Sequence, residues 1–200
     1  MRLAYDARLA GRGLGISTFV IGLAEALVAS GEVELVWLGD PALAPAGSAR
    51  WLRADRRPYP LLDGGAGRML VRRLAADVIH FTGNTGWSRP GLVASVLTLH
   101  DLIFLDTGTH ARSVRQVIGH RYERRLLPAA ARSADVLAVP SQTVAEQVRA
   151  RLPLAGEPQV IHEGVSPPIS RVTGAIPLST GVPAAIPSSN GSPKPSSRDG

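Results

Sequence analysis

The residues best suited to chemistry in this sequence are a histidine and an aspartate that follow one apolar segment. His100 and Asp101 come directly after residues 93–99, which are mostly apolar and rich in β-branched side chains. Such a segment is typical of a strand buried on both faces in a parallel sheet. Ligands of these sheets bind beyond the carboxyl ends of the strands, because helices cover both faces. We therefore expect His100 and Asp101 at a ligand-binding rim.

The same pair also has a purely structural interpretation. In it, Asp101 caps the segment that follows the strand, and His100 packs with its ring nitrogens satisfied inside the fold. The pair alone does not distinguish the two interpretations, so other residues at the same rim must decide.

His80 and Asn84 are candidates for that rim. His80 closes a predicted strand at 77–81, and Asn84 lies in the loop after it. A metal site would need a third convergent ligand, but Asp101 points away from His100 on an extended chain, so we expect no metal. A Ser-His-Asp hydrolase is disfavoured because the sequence has no G-x-S-x-G motif.

A glycine-rich loop precedes the first predicted helix. Gly11, Gly13 and Gly15 lie between a predicted strand at 2–6 and a helix predicted from about Ser17 to Ala29. Backbone amides of such a loop can approach a phosphate at the N-terminus of the helix. A phosphate-binding loop and a flexible turn are both compatible with this pattern.

A dinucleotide-binding loop is a third interpretation, with Asp40 at the end of the second predicted strand as the ribose ligand. Two observations count against it. A G-x-G-x-x-G motif beginning at Gly13 requires glycine where Thr18 stands, and four further residues separate Asp6 from Gly11. The sequence therefore disfavours a nicotinamide cofactor.

The elements that must position these residues alternate between strand-like and helix-like segments. This order predicts an α/β fold with a doubly wound parallel sheet, Rossmann-like, over residues 1–166. From residue 167 onward Pro, Ser and Gly dominate without periodicity, which predicts a disordered tail at 167–200. The strands are predicted at 2–6, 34–38, 50–53, 77–81, 93–99, 135–139 and 159–162, and the helices at 17–29, 69–75, 113–133 (kinked or divided at Pro128) and 141–152 (N-capped by Ser141).

Composition limits the location and the partners. The chain of 200 residues has no cysteine and a mean hydropathy of +0.08. Its apolar runs are shorter than the ~20 residues of a membrane span, and it lacks a signal-peptide core, so we expect a cytoplasmic protein. The net charge of +6 comes almost entirely from arginine and favours anionic partners. Few aromatic residues accompany the arginines, which disfavours nucleic acid.

Two arginine-rich runs have separate interpretations. Residues 50–53, with Arg56, Arg57 and Tyr59, combine basic and aromatic groups. This combination favours a peripheral contact with an anionic surface such as the inner membrane face. The run at 121–125 is interpreted as a solvated helix face with internal ion pairs.

Seven segments of residues 1–166 form an ordered set with characteristic spacing. They are Asp6–Arg8, Gly13–Ile16, Asp77–Phe81, Leu97–Leu102, Arg121–Pro128, Ser133–Ser141 and Val160–Val165. Each segment is weak evidence alone, but the ordered set is specific. It resembles family 4 glycosyltransferases of the GT-B fold, in which two Rossmann-like domains face each other across a cleft.

The resemblance implies roles for individual residues. Gly13 and Gly15 would lie against the donor diphosphate. His100 would contact the transferred sugar and place its carbonyl near the developing positive charge, while Asp101 would fix the imidazole or the loop. On the side of the acceptor we place His80 and Asn84.

The resemblance also implies an activity. The chain would be the acceptor-side domain of an enzyme that transfers a hexosyl group from a nucleotide-sugar to a glycan or lipid-type acceptor, with retention and without metal or cofactor. A Ser/Pro-rich tail stands where the donor-binding domain should begin, which indicates a truncation or frameshift and a need for a complementary donor-domain chain. His162 and Glu163 also replace the Pro-Asn often seen before Gly164. The alternatives are a non-catalytic remnant or binding module, and an NAD(P)-binding Rossmann protein.

Overall fold

The computed structural model describes residues 1–12, 15–54, 62–89, 91–106 and 114–164. The chain divides into two units, Met1–Ser166 and Pro167–Gly200. Three sequence predictions lie outside the described residues: the phosphate contact of Gly13, the basic and aromatic group at residues 56–59, and the disordered tail at 167–200.

The first unit is built on a seven-stranded parallel sheet, as the sequence predicts. The strand order is β3-β2-β1-β4-β5-β6-β7, so the chain moves outward from β1 to β3 and returns to the other side of β1. The point where the direction reverses lies between β1 and β4. The strands are β1 (Arg2–Ala7), β2 (Glu34–Gly39), β3 (Arg50–Arg53), β4 (Val78–Phe81), β5 (Ala94–Thr98), β6 (Val136–Val139) and β7 (Gln159–Val160), and the helices are α1 (Gly15–Ser30), α2 (Gly65–Arg73), α3 (Val114–Ser133) and α4 (Gln142–Arg151).

The side chains of β1 point alternately to the two faces of the sheet and pack against helices on both. Leu3 and Tyr5 pack in one cluster with residues of α1, whereas Ala4 packs in a second cluster with residues of α2, α3 and α4. Successive side chains of a strand point to opposite faces, so a central strand needs apolar residues at every position. Full burial of each large apolar side chain contributes roughly 1.5–3 kcal/mol to folding.

The helix predictions are confirmed with small shifts. Ser141 N-caps α4, because its side chain accepts a hydrogen bond from the Val144 N–H. Pro128 does not divide α3, which runs unbroken from Val114 to Ser133. The adjacent Leu127 is completely buried in the core, and packing of an apolar face is the main source of helix stability in proteins. Among the described residues, no helix is both long and apolar enough to cross a membrane.

The register of the sheet brings three strand ends to one edge. Asp6 of β1 pairs with Phe81 of β4, and Phe81 pairs with Leu97 of β5. The residues that follow these three strands therefore lie side by side at the carboxyl edge of the sheet, next to the point where the strand order reverses. Ligands of doubly wound sheets bind at this position.

Candidate functional site

His100 stands at the carboxyl edge of the sheet, where the sequence predicts it. Its Nε2 lies 2.9 Å from the carbonyl oxygen of Thr82, in the loop after β4. Its Nδ1 lies 2.7 Å from Oε1 of Glu163, in the segment after β7. The edge of the ring also meets Phe19 of α1, with 4.7 Å between ring centroids. His100 thus joins three separate parts of the chain at one point.

Both sequence interpretations of His100 apply to this arrangement. The ring lies at the rim of the sheet, and each of its nitrogens has a partner within the chain. A carbonyl oxygen only accepts, so Nε2 carries a proton and donates to Thr82. Thr82 is itself fixed, because its hydroxyl donates to the carbonyl oxygen of Asp6 on β1.

Asp101 fixes the loop and not the imidazole. Its Oδ1 accepts a hydrogen bond of 3.0 Å from the Ile103 N–H, at the start of a short 3-10 turn formed by Ile103–Leu105. The contacts that hold the ring of His100 come from Thr82 and Glu163. Among the described residues, no group of three His, Asp or Glu side chains is placed to hold a metal ion.

His80 is engaged inside the sheet. Its Nε2 lies 2.8 Å from the hydroxyl oxygen of Thr98 on β5, and its ring meets Tyr5 edge-on at 5.5 Å. Burial lowers the pKa of His80 to about 4, although the nearby Asp6 carboxylate acts in the opposite direction. His80 is therefore neutral at pH 7, and its described contacts tie β4 to β1 and β5.

Asn84 lies in the loop after β4 and is half-buried. Its side-chain oxygen Oδ1 is shielded from solvent and has no hydrogen-bond partner among the described residues. A buried acceptor without a donor is costly, by about 1–3 kcal/mol. Asn84 is thus a polar group at this edge of the sheet that has unused hydrogen-bonding capacity.

The glycine-rich loop folds back on the start of α1. Gly11 has φ +74°, in the left-handed region, and its N–H donates to the hydroxyl of Ser17 at 2.8 Å. Gly15 is exposed and is the first residue of α1, two residues earlier than predicted, and a Cβ there would meet nothing within 4 Å. Gly11 is thus required for its backbone conformation. The missing side chain at Gly15 instead leaves free space beside the first turn of α1.

Asp40 is occupied by local contacts. Its Oδ1 accepts from the Ala42 N–H at 3.1 Å and caps a short 3-10 turn, and Nη2 of Arg53 lies 3.8 Å from the same oxygen. The side chain proposed as a ribose ligand therefore has a structural role in the turn after β2.

Sequence reasoning missed a buried ionic network beside this site. Arg8 is only 2% exposed and forms a two-pronged contact with Asp6, through Nε at 2.8 Å and Nη2 at 2.7 Å. The same Nη2 lies 2.9 Å from Asp63, whose other oxygen accepts from the Tyr122 hydroxyl at 3.0 Å. The Asp-x-Arg spacing at the end of β1 was the available signal, since two charged residues there must be paired.

The electrostatics of the network follow from its burial. Burial raises the pKa of Asp63 to about 6, and the adjacent Arg8 guanidinium opposes that increase. Burial lowers the pKa of Arg8, but the nearby Asp6 and Asp63 carboxylates outweigh it, so the pKa of Arg8 rises overall. The guanidinium is permanently charged, and Asp63 gains a proton near pH 6.

The interpretation of residues 121–125 as a solvated face is wrong for the middle of the run. Tyr122, Glu123 and Arg124 are half-buried, whereas only Arg121 and Arg125 are exposed. The Arg124 side chain donates to the backbone carbonyl oxygens of Phe104, at 2.6 Å, and Asp106, at 3.0 Å. This part of α3 faces the loop that begins at Asp101, and a helix face that packs on a loop cannot be recognised from its charge pattern.

Glu123 is a second carboxyl group whose pKa is raised toward neutral pH. Burial, and then the negative charge of Asp101, raises the pKa of Glu123 to about 7. The carboxyl group of Glu123 is therefore about half protonated at pH 7. Sequence reasoning missed Glu123 because the residue was assigned to solvent.

The parallel sheet and its reversal point beside β1 define a Rossmann-like α/β domain. The chain belongs to glycosyltransferase family 4, since the model of that family, Glycosyltransferase Family 4, matches residues 14–167. The resemblance drawn from the sequence is thereby confirmed. No match was found among curated proteins.

Proposed function

We propose that this chain is the acceptor-side domain of a hexosyltransferase. It would take a hexosyl group from a nucleotide-sugar to a glycan or lipid-linked acceptor, with retention and without a metal or cofactor. A donor-binding domain, on this or another polypeptide, would complete the cleft. The observation that carries the proposal is the position of His100, at the exit of β5 and against Phe19 in the first turns of α1.

The start of α1 supports a role toward the donor phosphates. The first N–H groups of a helix have no partner within the helix, and together with the helix dipole they attract an anion; Gly15 leaves space for one to approach. In a transfer reaction negative charge grows on the leaving diphosphate, so donors fixed at this place would stabilise the transition state. Gly13 and Gly15 are the residues that we place there.

His100 would serve the transferred sugar with two groups. Its ring would hydrogen-bond a sugar hydroxyl, and its main-chain carbonyl would face the anomeric carbon, where positive charge develops. Asp101 supports this arrangement by fixing the loop that leaves β5. A backbone carbonyl held in this way cannot relax away from the charge, which makes it effective in the transition state.

On the acceptor side, Asn84 offers a buried oxygen for which the described part of the chain supplies no donor, and an acceptor hydroxyl could donate to it. His80 would act indirectly there, because its ring is bound to Thr98 within the sheet. A lipid-linked acceptor would bring the domain to a membrane surface from the cytoplasm. Exposed Trp51, flanked by exposed Arg50 and Arg53 on the edge strand β3, is suited to a peripheral contact with anionic lipid.

The test is transfer in an assembled enzyme. The full chain is combined with the donor-binding domain of a family 4 relative, and transfer is measured over a panel of nucleotide-sugars and acceptors. Loss of an interaction made mainly in the transition state should lower the rate of the His100→Ala variant by on the order of 10²-fold or more. Gln147→Ala, at an exposed position of α4 outside the site, is the control and should keep wild-type turnover. Full turnover by His100→Ala would refute the proposed role.

One observation favours a second candidate, a non-catalytic binding module. Both ring nitrogens of His100 are satisfied within the chain, as expected of a residue whose role is structural. A non-catalytic module would give no transfer with any donor domain, and its His100→Ala variant would lose stability by roughly 1–3 kcal/mol. Turnover and melting measured on the same variant separate the two candidates.

A further inference from the structure

The ring of His100 has an internal partner at each nitrogen. Nε2 donates to the Thr82 carbonyl oxygen at 2.9 Å, and Nδ1 lies 2.7 Å from Oε1 of Glu163. The second distance is that of a charge-assisted hydrogen bond, in which one proton lies between the ring and the carboxyl group. A sugar hydroxyl can reach either nitrogen only after one of these partners leaves.

The two partners differ in how firmly they are held. Thr82 is 1% exposed, and its hydroxyl is bonded to the backbone of β1. The side chain of Glu163 is 40% exposed, against 13% for that of His100. Glu163 therefore sits at the surface end of the contact, where water competes for its carboxylate and the net gain from pairing is small. Glu163 is therefore the partner of His100 that another hydrogen-bonding group can displace.

The segment that carries Glu163 is attached to the sheet close to this contact. The Ile161 N–H donates to the carbonyl oxygen of Val139 at the end of β6, at 2.8 Å, and residues 161–164 beyond β7 are exposed. Nδ1 of His162 also lies 3.2 Å from the carbonyl oxygen of Pro140, so two contacts attach the segment just before Glu163, and it can move beyond them without breaking the sheet. Its contact with His100 then depends mainly on the Glu163 side chain.

We infer that Glu163 is an internal ligand of His100 and that it latches residues 161–164 over the site until an incoming hydroxyl takes its place at Nδ1. The identity of that hydroxyl as one of a sugar rests on the proposed function, whereas the latch is a property of the chain without ligand. Such a latch lowers the apparent affinity for the ligand, because only the fraction of molecules in which the latch is open can bind it.

Chemical modification of His100 tests the latch without any substrate. Diethyl pyrocarbonate acylates an imidazole nitrogen that carries no proton, and peptide mass spectrometry follows each histidine separately. In the full-length chain Nδ1 of His100 is covered by Glu163, so its acylation should be slow. In Glu163→Ala that nitrogen is uncovered while Nε2 stays bonded to Thr82, and the rate should rise by about fivefold or more.

Two controls make this measurement specific. Glu157→Ala removes another exposed glutamate nearby, one that pairs with Arg149, and should leave the acylation of His100 unchanged. His120 of α3 lies outside residues 161–164 and serves as an internal standard, with the same rate in all variants. An equal rate for His100 in wild type and Glu163→Ala overturns the latch. A rise in Glu157→Ala as well would indicate general loosening and would also overturn it.

A second measurement tests the competition. UDP-glucose and GDP-mannose, each at millimolar concentration, are added as probes during the acylation of both proteins. Greater protection of His100 in Glu163→Ala than in wild type supports displacement by the sugar, and equal protection in the two proteins refutes it. Protection in neither protein counts against the proposed sugar site, while the first measurement still decides whether the latch exists.

Discussion

Arg8 and Asp63 lie 55 residues apart in the sequence, and their side chains meet inside the domain, with 2.9 Å between Nη2 and Oδ1. The contact joins the end of the central strand β1 to the segment before α2. Asp6 holds the other side of the same guanidinium. Because all three side chains are buried, each charge depends on the others for the interactions that water would otherwise supply.

Removal of the guanidinium should therefore be costly. Arg8→Met keeps a long side chain but leaves Asp6 and Asp63 as two buried carboxylates without their cation. We expect the free energy of unfolding in urea to fall by about 3–5 kcal/mol. Arg149→Ala breaks an exposed pair with Glu157 and should cost at most about 1 kcal/mol. A similar small loss in both variants would contradict the structural importance of the network.

The pKa of Glu123 makes a prediction about pH. Folding raises this pKa from its ordinary value of 4.5 to about 7, so the folded state binds the proton more tightly. The stability that this proton contributes is fully present below pH 4.5 and is lost as the pH rises through about 7. Wild type should therefore lose stability relative to Glu123→Gln over this range, by roughly 1–3 kcal/mol after allowance for partial exposure.

Urea unfolding of both proteins at a series of pH values measures that difference, and other titrating groups cancel because both proteins share them. Glu146→Gln, at an exposed position of α4, is the control and should follow wild type at each pH. A difference between wild type and Glu123→Gln that stays constant from pH 4.5 to 8 would show that Glu123 does not titrate as described.

The fold could be predicted from the sequence because its signals are local. Each buried strand is a short apolar run and each helix has its own stripe or cap, as in Ser141 before α4. The rim position of His100 followed from the same logic, since a polar residue after a buried strand lies at the edge of the sheet. The parallel topology could then be predicted from the alternation of strands and helices along the chain.

The contacts within the site could not be predicted, because they join distant parts of the chain. His100 meets Thr82 and Glu163 through contacts that span 18 and 63 residues. Tyr122 reaches Asp63 only because α3 packs with that face toward the segment before α2. Helical periodicity identifies an apolar face, but it does not tell which polar residues beside that face will meet a loop.

In the proposed enzyme a second domain binds the donor, so this chain alone should bind nucleotide-sugars weakly. A donor-binding domain would supply most contacts to the nucleotide, and each tenfold change in affinity corresponds to ~1.4 kcal/mol. We expect Kd values in the millimolar range or weaker for nucleotide-sugars, which is roughly −4 kcal/mol. Isothermal titration calorimetry with UDP-glucose and GDP-mannose measures this. Micromolar binding of either would mean that the described edge of the sheet already forms most of a nucleotide site.

The two glycines at the start of α1 separate a structural requirement from a functional one. Gly11 has φ +74°, and a Cβ there would lie 2.5 Å from Cδ1 of Leu43. Gly11→Ala should therefore destabilise the fold by about 1–2 kcal/mol through backbone strain. Gly15 has no such constraint, because a Cβ would meet nothing within 4 Å. Gly15→Ala in the first turn of a helix should leave stability unchanged or raise it by about 0.5 kcal/mol.

If Gly15 lies against the donor diphosphate, the Gly15→Ala variant should lose transfer activity but keep its stability. The added methyl group would hold the phosphate away from the amides of the first turn, so transfer in the assembled enzyme should fall by about tenfold or more. Thermal melting and turnover are measured on the same preparation. Gly22→Ala, in the middle of α1 and also with open space at the Cβ position, is the matched control and should keep wild-type turnover. A stable, fully active Gly15→Ala variant would show that the donor phosphates do not bind at the start of α1.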